Sequence, residues 1–148
     1  MIFNFEIARQ LMVENQLRPN KIKEKNILKI FLEVEKEFFL NDNLKNLAYY
    51  DADINLIDNR GYLKNLHIAQ LIKYSNINSN DVVLHIGALT GYVTSLLSKL
   101  SQSVIAIEDD YHLFNQLSQN INSLKLDNVE IYKSDFKNGY KDKSPYDL

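Results

Sequence analysis

The chain has 148 residues, nearly half of them apolar, and a formal charge of only -2. That length holds one ordinary core and is too short for two full domains, and the near-neutral balance gives no reason to expect nucleic acid or anionic lipid as a partner. Cysteine is absent, which excludes disulfides and thiolate metal sites. The three histidines, His67, His85 and His112, lack the short spacing that puts two ligands on one helical face, so no metal is expected.

The opening stretch MIFNFEIARQLMVENQ is broken by Glu6, Arg9 and Glu14. It therefore lacks the long apolar core of a signal peptide or membrane helix, and a cytoplasmic location is the expectation. Lysine far outnumbers arginine and asparagine is plentiful, a bias that reads as solvated surface rather than as a binding patch.

Residues 1–80 read as a helical region. Ile7, Leu11 and Met12 share a face of a helix expected to stop before Pro19. Ile27, Phe31, Val34 and Phe38 recur at four, three and four, the spacing of a buried helical stripe. From Asn41 to Arg60 no period holds, and an irregular segment is expected, with Tyr49 and Tyr50 either capping the core or stacking on a substrate. A third helix begins near Leu63, carries Leu66, Ile68, Ala69, Leu71 and Ile72, and ends at the polar NINSND loop.

Residues 81–148 change rhythm. VVLHI, VTSLLSKL, VIAIE, LFNQLSQNINSL and VEIYKSD alternate short apolar runs with amphipathic stretches, the pattern of βα units on a parallel sheet. Val93, Leu96, Leu97 and Leu100 make one helical face, and Leu113, Phe114, Leu117, Ile121 and Leu124 another. The final SPYDL resembles the start of a fourth strand; ending there, the sheet is expected to carry an unpaired edge and to be marginal, aggregating or paired with another chain.

The candidate site lies at the first turn of this unit. An open α/β sheet binds ligand beyond the carboxyl ends of its strands, where Gly87 and Gly91 let backbone approach it. Glu108, about twenty residues on at the end of the second strand, stands where a ribose finds an acceptor. Asp109 and Asp110 suit the N-terminus of the following helix.

In that order ARQLMVENQL, AYYD, VVLHIGALTGY, SVIAIEDD and NVEIYKSDFKNGYKDKSPYDL resemble the protein-L-isoaspartate O-methyltransferases, the bacterial type in particular. The resemblance covers the whole chain. It implies an α/β fold, the Rossmann-like class I methyltransferase sheet, incomplete at the C-terminus, with the helical region packed on it. It also implies S-adenosylmethionine as cofactor and the carboxyl group of isoaspartyl residues in damaged proteins as acceptor, on a monomeric cytosolic enzyme. By position, Gly87, Ala88, Leu89 and Gly91 would line the methionine and ribose side, Glu108 would take the ribose hydroxyls, and Asp135 with Phe136 would flank the adenine. No catalytic residue is implied, because the acceptor carboxylate is already ionised at neutral pH and needs no base.

Five positions depart from the family pattern: Leu89 for a glycine, His85 for the acid that opens the motif, Gly61 and Leu63 for hydroxyl residues of the substrate segment DNRGYLKN, and Phe136 for a glycine. They motivate a second reading, a degenerate or truncated non-catalytic relative serving as a binding module. A nicotinamide dehydrogenase is a third, since Glu108 suits NAD equally well, but the GxGxxG spacing is missing. For His85 a core imidazole bonded to backbone is expected, and for Leu89 packing toward the following helix.

Overall fold

The computed structural model describes residues 2–148 and divides into two compact units, Met1–Asn76 and Ile77–Leu148. The first is helical with one hairpin. Its first helix, α1 (Phe5–Met12), is capped by Asn4, whose side chain accepts from the Ile7 amide. The path then widens into a π turn, Val13–Leu17, and tightens into a 3-10 turn, Arg18–Asn20, that contains Pro19. The helical course thus runs past the proline, closed by Lys21 in the left-handed region at φ 67°. The wide turn directs Val13 and Leu17 inward with Met12, while Ile7 and Leu11 lie outward at 53% and 52% exposure. The expected shared face of Ile7, Leu11 and Met12 is therefore split.

Helix α2 (Lys25–Glu33) buries Ile27 and Phe31, and extended backbone at Val34 ends it. A 3-10 turn, Lys36–Phe39, follows, and its shorter period turns Phe39 inward and leaves Phe38 partly exposed. The segment expected to be irregular holds a hairpin of β1 (Ile54–Ile57) and β2 (Arg60–Tyr62). Asp58 and Asn59 both take positive φ, 44° and 62°, which is the two-residue loop whose twist matches antiparallel strands. Gly61 sits opposite Asn55, and a Cβ there would stand 1.9 Å from the Ile54 carbonyl oxygen, so only glycine fits the close approach. Helix α3 (Asn65–Ser75) buries Asn65, Ile68, Ala69 and Ile72, leaves Leu71 out, and ends on left-handed Asn76.

The second unit is a three-stranded parallel sheet, β3 (Val82–Ile86), β4 (Ser103–Glu108) and β5 (Val129–Lys133), in the order β3-β4-β5. The connections are α4 (Tyr92–Ser98) and α5 (Tyr111–Leu124). This is the parallel βα arrangement that the alternating pattern implies, and the Rossmann-like α/β sheet that the family resemblance implies. Central β4 is apolar from Val104 to Ile107 and buried throughout that run. Leu113, Leu117 and Ile121 of α5 and Leu96 and Leu97 of α4 supply the buried helical side chains. The last residues lie along the outer side of β3: the Asp147 amide donates to the Val82 carbonyl and the Leu84 amide to Leu148, each at 2.9 Å. The SPYDL segment thus lies alongside β3, in the position expected of the start of a fourth strand.

Candidate functional site

The site is built where β3 and β4 end. The turn 87–91 needs left-handed backbone at alternate residues, Gly87 at φ 79°, Leu89 at 54° and Gly91 at 104°. For glycine this conformation is free, whereas for Leu89 it costs about 1–2 kcal/mol. The strain is held by the surroundings. Gly87 and Ala88 both donate to the Ile107 carbonyl, at 3.0 and 3.1 Å, and Gly91 donates to Ala88 at 3.0 Å. From α5, the Asn120 side-chain amide donates to the Thr90 carbonyl at 2.8 Å.

Glu108 ends β4 beside this turn and is 0% exposed. Its Oε2 accepts from the Leu89 amide at 2.8 Å, and its Oε1 accepts from the Asp109 and Asp110 amides, each at 3.1 Å. A buried carboxylate needs donors of this kind, and backbone amides supply them at fixed positions. Leu89 is itself 9% exposed. The amides of Gly87, Ala88, Leu89 and Gly91 are thus directed to acceptors within the protein.

Asp110 caps α5, its Oδ1 accepting from the Leu113 amide at 2.8 Å. Asp109 faces an open cleft of about 240 Å³, lined also by Lys133, Ser134 and Asp135, at the carboxyl ends of β4 and β5. In the sheet Glu108 pairs with Lys133, so the covered acid and the open cleft are neighbours. Asp135 caps the short turn Phe136–Asn138 by accepting from the Lys137 amide at 2.8 Å. Its other expected role, beside an adenine with Phe136, falls at the rim of that cleft. Tyr132 and Tyr140 stack on each other, with centroids 3.9 Å apart. Lys133 carried no signal in the letters beyond an ordinary strand end.

His85 bonds through Nδ1 to the Thr94 hydroxyl at 2.9 Å rather than to backbone. Burial holds its pKa down at about 4, opposed only by the nearby Glu108 carboxylate, so the ring is neutral at pH 7. Between pH 6.5 and 4 the unfolded chain binds a proton that the folded ring refuses, and stability falls as the pH drops through this window. At about 1.4 kcal/mol per unit, the loss between pH 7 and 5 is about 2 kcal/mol. The paired carboxylates with lowered pKa, Glu24, Asp42 and Glu130, give up their contribution only below their ordinary values. Urea midpoints of wild type and His85→Asn at pH 7, 6 and 5 should therefore diverge, with the variant the flatter; parallel curves would contradict the assignment.

Of the substrate segment DNRGYLKN, Asp58 and Asn59 form the hairpin loop, Gly61 and Tyr62 lie in β2, and Asn65 opens α3. Leu63 is partly exposed between them. Tyr49 is in the core and Tyr50 outside it. Among the described residues no cluster of three His, Asp or Glu side chains is arranged for a metal ion, and no helix is long and apolar enough to cross a membrane.

A parallel sheet with its turn, acid and cleft at the carboxyl edge is the arrangement of a Rossmann-like α/β unit. The family model for protein-L-isoaspartate(D-aspartate) O-methyltransferase matches residues 8–148, and the chain belongs to that family. It is 28% identical over 144 residues to protein-L-isoaspartate O-methyltransferase 2 of Pelobacter propionicus, covering 97% of this chain and 64% of that protein. The counterpart in Trichlorobacter lovleyi is 29% identical, with 97% and 66% covered. The chain thus spans about two thirds of the length of these curated relatives. A solved protein-L-isoaspartate O-methyltransferase superposes with a TM-score of 0.78 at 21% identity, over 97% of this chain and 46% of that one. A Plasmodium falciparum protein of the same description, solved in complex with S-adenosyl-L-homocysteine, gives 0.74 at 19%, over 96% and 68%. The two solved structures establish the fold they share with this chain.

Proposed function

We propose that the chain binds S-adenosylmethionine and serves methyl transfer to the carboxyl group of isoaspartyl residues in damaged proteins. The observation that carries this reading is the position of Glu108, at the carboxyl end of β4, between the 87–91 turn and the cleft of Asp109, Lys133, Ser134 and Asp135. The relatives' names and the S-adenosyl-L-homocysteine bound to the Plasmodium protein support it. The donor set suits an adenosyl group, with a carboxylate for the sugar hydroxyls and an open polar cleft beside it for the base. The fit is free at the cleft and tight at the turn.

When bound, the cofactor supplies an electrophilic methyl on sulfonium sulfur. Glu108 would hold the sugar, Asp135 and Phe136 would bracket the base, and Gly87, Ala88, Leu89 and Gly91 would border the methionine portion. None of these groups has to move a proton, because a carboxylate acceptor is ionised at neutral pH. What the chain contributes is placement and exclusion of water, effects that together lower barriers by up to roughly 7–11 kcal/mol. Neutral His85 leaves the mouth of the turn without the carboxylate usual in the family, and with it one anchor for the cofactor's ammonium. Isoaspartyl proteins as partners, a monomeric state and cytoplasmic residence accompany this reading.

Calorimetric titration of the full chain with S-adenosylhomocysteine, followed by transfer of labelled methyl to an isoaspartyl peptide, tests it. Binding at micromolar concentration with peptide labelling is the expected result. Binding without labelling favours the non-catalytic module, which the replaced hydroxyls at Gly61 and Leu63 motivate, and no heat up to millimolar ligand sinks the cofactor reading.

A further inference from the structure

Glu108 has no accessible surface, yet a sugar hydroxyl must come within hydrogen-bond reach of a carboxylate to be held by it. One carboxylate oxygen is occupied by the Leu89 amide at 2.8 Å, and the Leu89 side chain begins two bonds from that amide. Leu89 itself is nearly buried and holds a left-handed conformation that a branched side chain disfavours. Two residues before it Gly87 also has positive φ and gives the strained residue a pliant joint on that side, while on the other side the Thr90 carbonyl is held by Asn120.

We propose that Leu89 is a strained cover over Glu108, and that an adenosyl ligand reaches the carboxylate only when the turn surrenders the Leu89 amide contact and swings the side chain aside. Leu89 is then the residue that sets affinity for the cofactor, through the work of opening rather than through a contact of its own. This inference rests on the cofactor reading above. Its consequence is a chain that binds the adenosyl group more weakly than its acid and cleft would allow.

The test is affinity for S-adenosylhomocysteine, measured by calorimetry on the full chain, for wild type, Leu89→Gly and Leu89→Asn. Glycine takes the left-handed backbone freely and has nothing to displace, so roughly tenfold or greater tightening is expected. Asparagine, which tolerates the same backbone with a polar side chain, should fall between the two and serves if the glycine variant does not fold. Amide hydrogen exchange gives a readout that a purely structural role would not move. With saturating ligand the wild-type Leu89 amide should lose protection, while the Ser95 amide, bonded to Gly91, should keep it.

Equal affinities in wild type and the folded variant, or a Leu89 amide that stays protected with ligand bound, overturn the cover and leave the cofactor reading standing. If neither wild type nor any folded variant binds the ligand, both fall.

Discussion

Glu108→Gln is expected to weaken folding and adenosyl binding together. The carboxylate accepts three backbone amides in a position without solvent. A glutamine has one oxygen to offer, and its NH₂ must face either the Leu89 amide or the Asp109 and Asp110 amides, donor against donor. Hydrogen bonds to a charged acceptor contribute about 1.5–3 kcal/mol, and a stranded buried donor costs a similar amount. A destabilisation of about 3 kcal/mol follows, seen as a lower urea midpoint. Affinity for S-adenosylhomocysteine should drop on the order of 10–100-fold. A variant as stable as wild type would show that the three amide contacts contribute little.

The second large effect lies in the helical unit. Lys36 is 0% exposed, with Nζ 3.0 Å from Asn65 Oδ1, 3.4 Å from the Leu63 carbonyl and 5.7 Å from the centre of the Tyr62 ring. Burial pulls its pKa down to about 7, against the weaker upward influence of Asp53. Between pH 7 and 10 the unfolded lysine stays protonated while the folded one sheds its proton, so stability climbs with pH across that interval. The climb amounts to about 4 kcal/mol over three units. Above pH 10 it is opposed by Tyr49, whose pKa is raised by burial and by its hydrogen bond to Glu37, because the unfolded phenol ionises first. Lys36→Met should therefore flatten the profile from pH 7 to 10 without lowering stability at pH 7 by more than the unmet acceptor at Asn65 costs. Chemical denaturation at four pH values decides it: a wild-type profile flat over this range would refute the buried, uncharged amine.

The βα half of the chain was legible because its signals are redundant. Each strand is a continuous apolar run between polar turns, and each helix repeats at three and four, so a misread residue does not alter the element. The hairpin was not, although Asp58 and Asn59 are the turn residues such a loop demands. Its strands of four and three residues are too short to establish a period of two, and Gly61 reads as a lost hydroxyl when its cause is the carbonyl pressed against it. Phe38 and Phe39 exchange roles because α2 stops at Glu33, an ending that periodicity across a 3-10 turn cannot mark. Lys36 was hidden most completely. One lysine among many carries no mark of burial in the letters, and only the fold brings Asn65 and Tyr62 to it. At the site, the order of turn and acid could be read from spacing and Asp135 came only with the family resemblance, but the direction of the amides and the enclosure of Glu108 depend on φ and packing.

The Asn120 side chain fastens the Thr90 carbonyl to the body of a 14-residue helix. Downstream of that post the chain is immobilised, which confines any rearrangement to the three residues preceding it. A hinge so short moves like a latch rather than a domain, on the nanosecond to microsecond scale of loops. Ligand entry would then show its traces in relaxation of a few backbone amides, with the remaining resonances of the sheet unshifted.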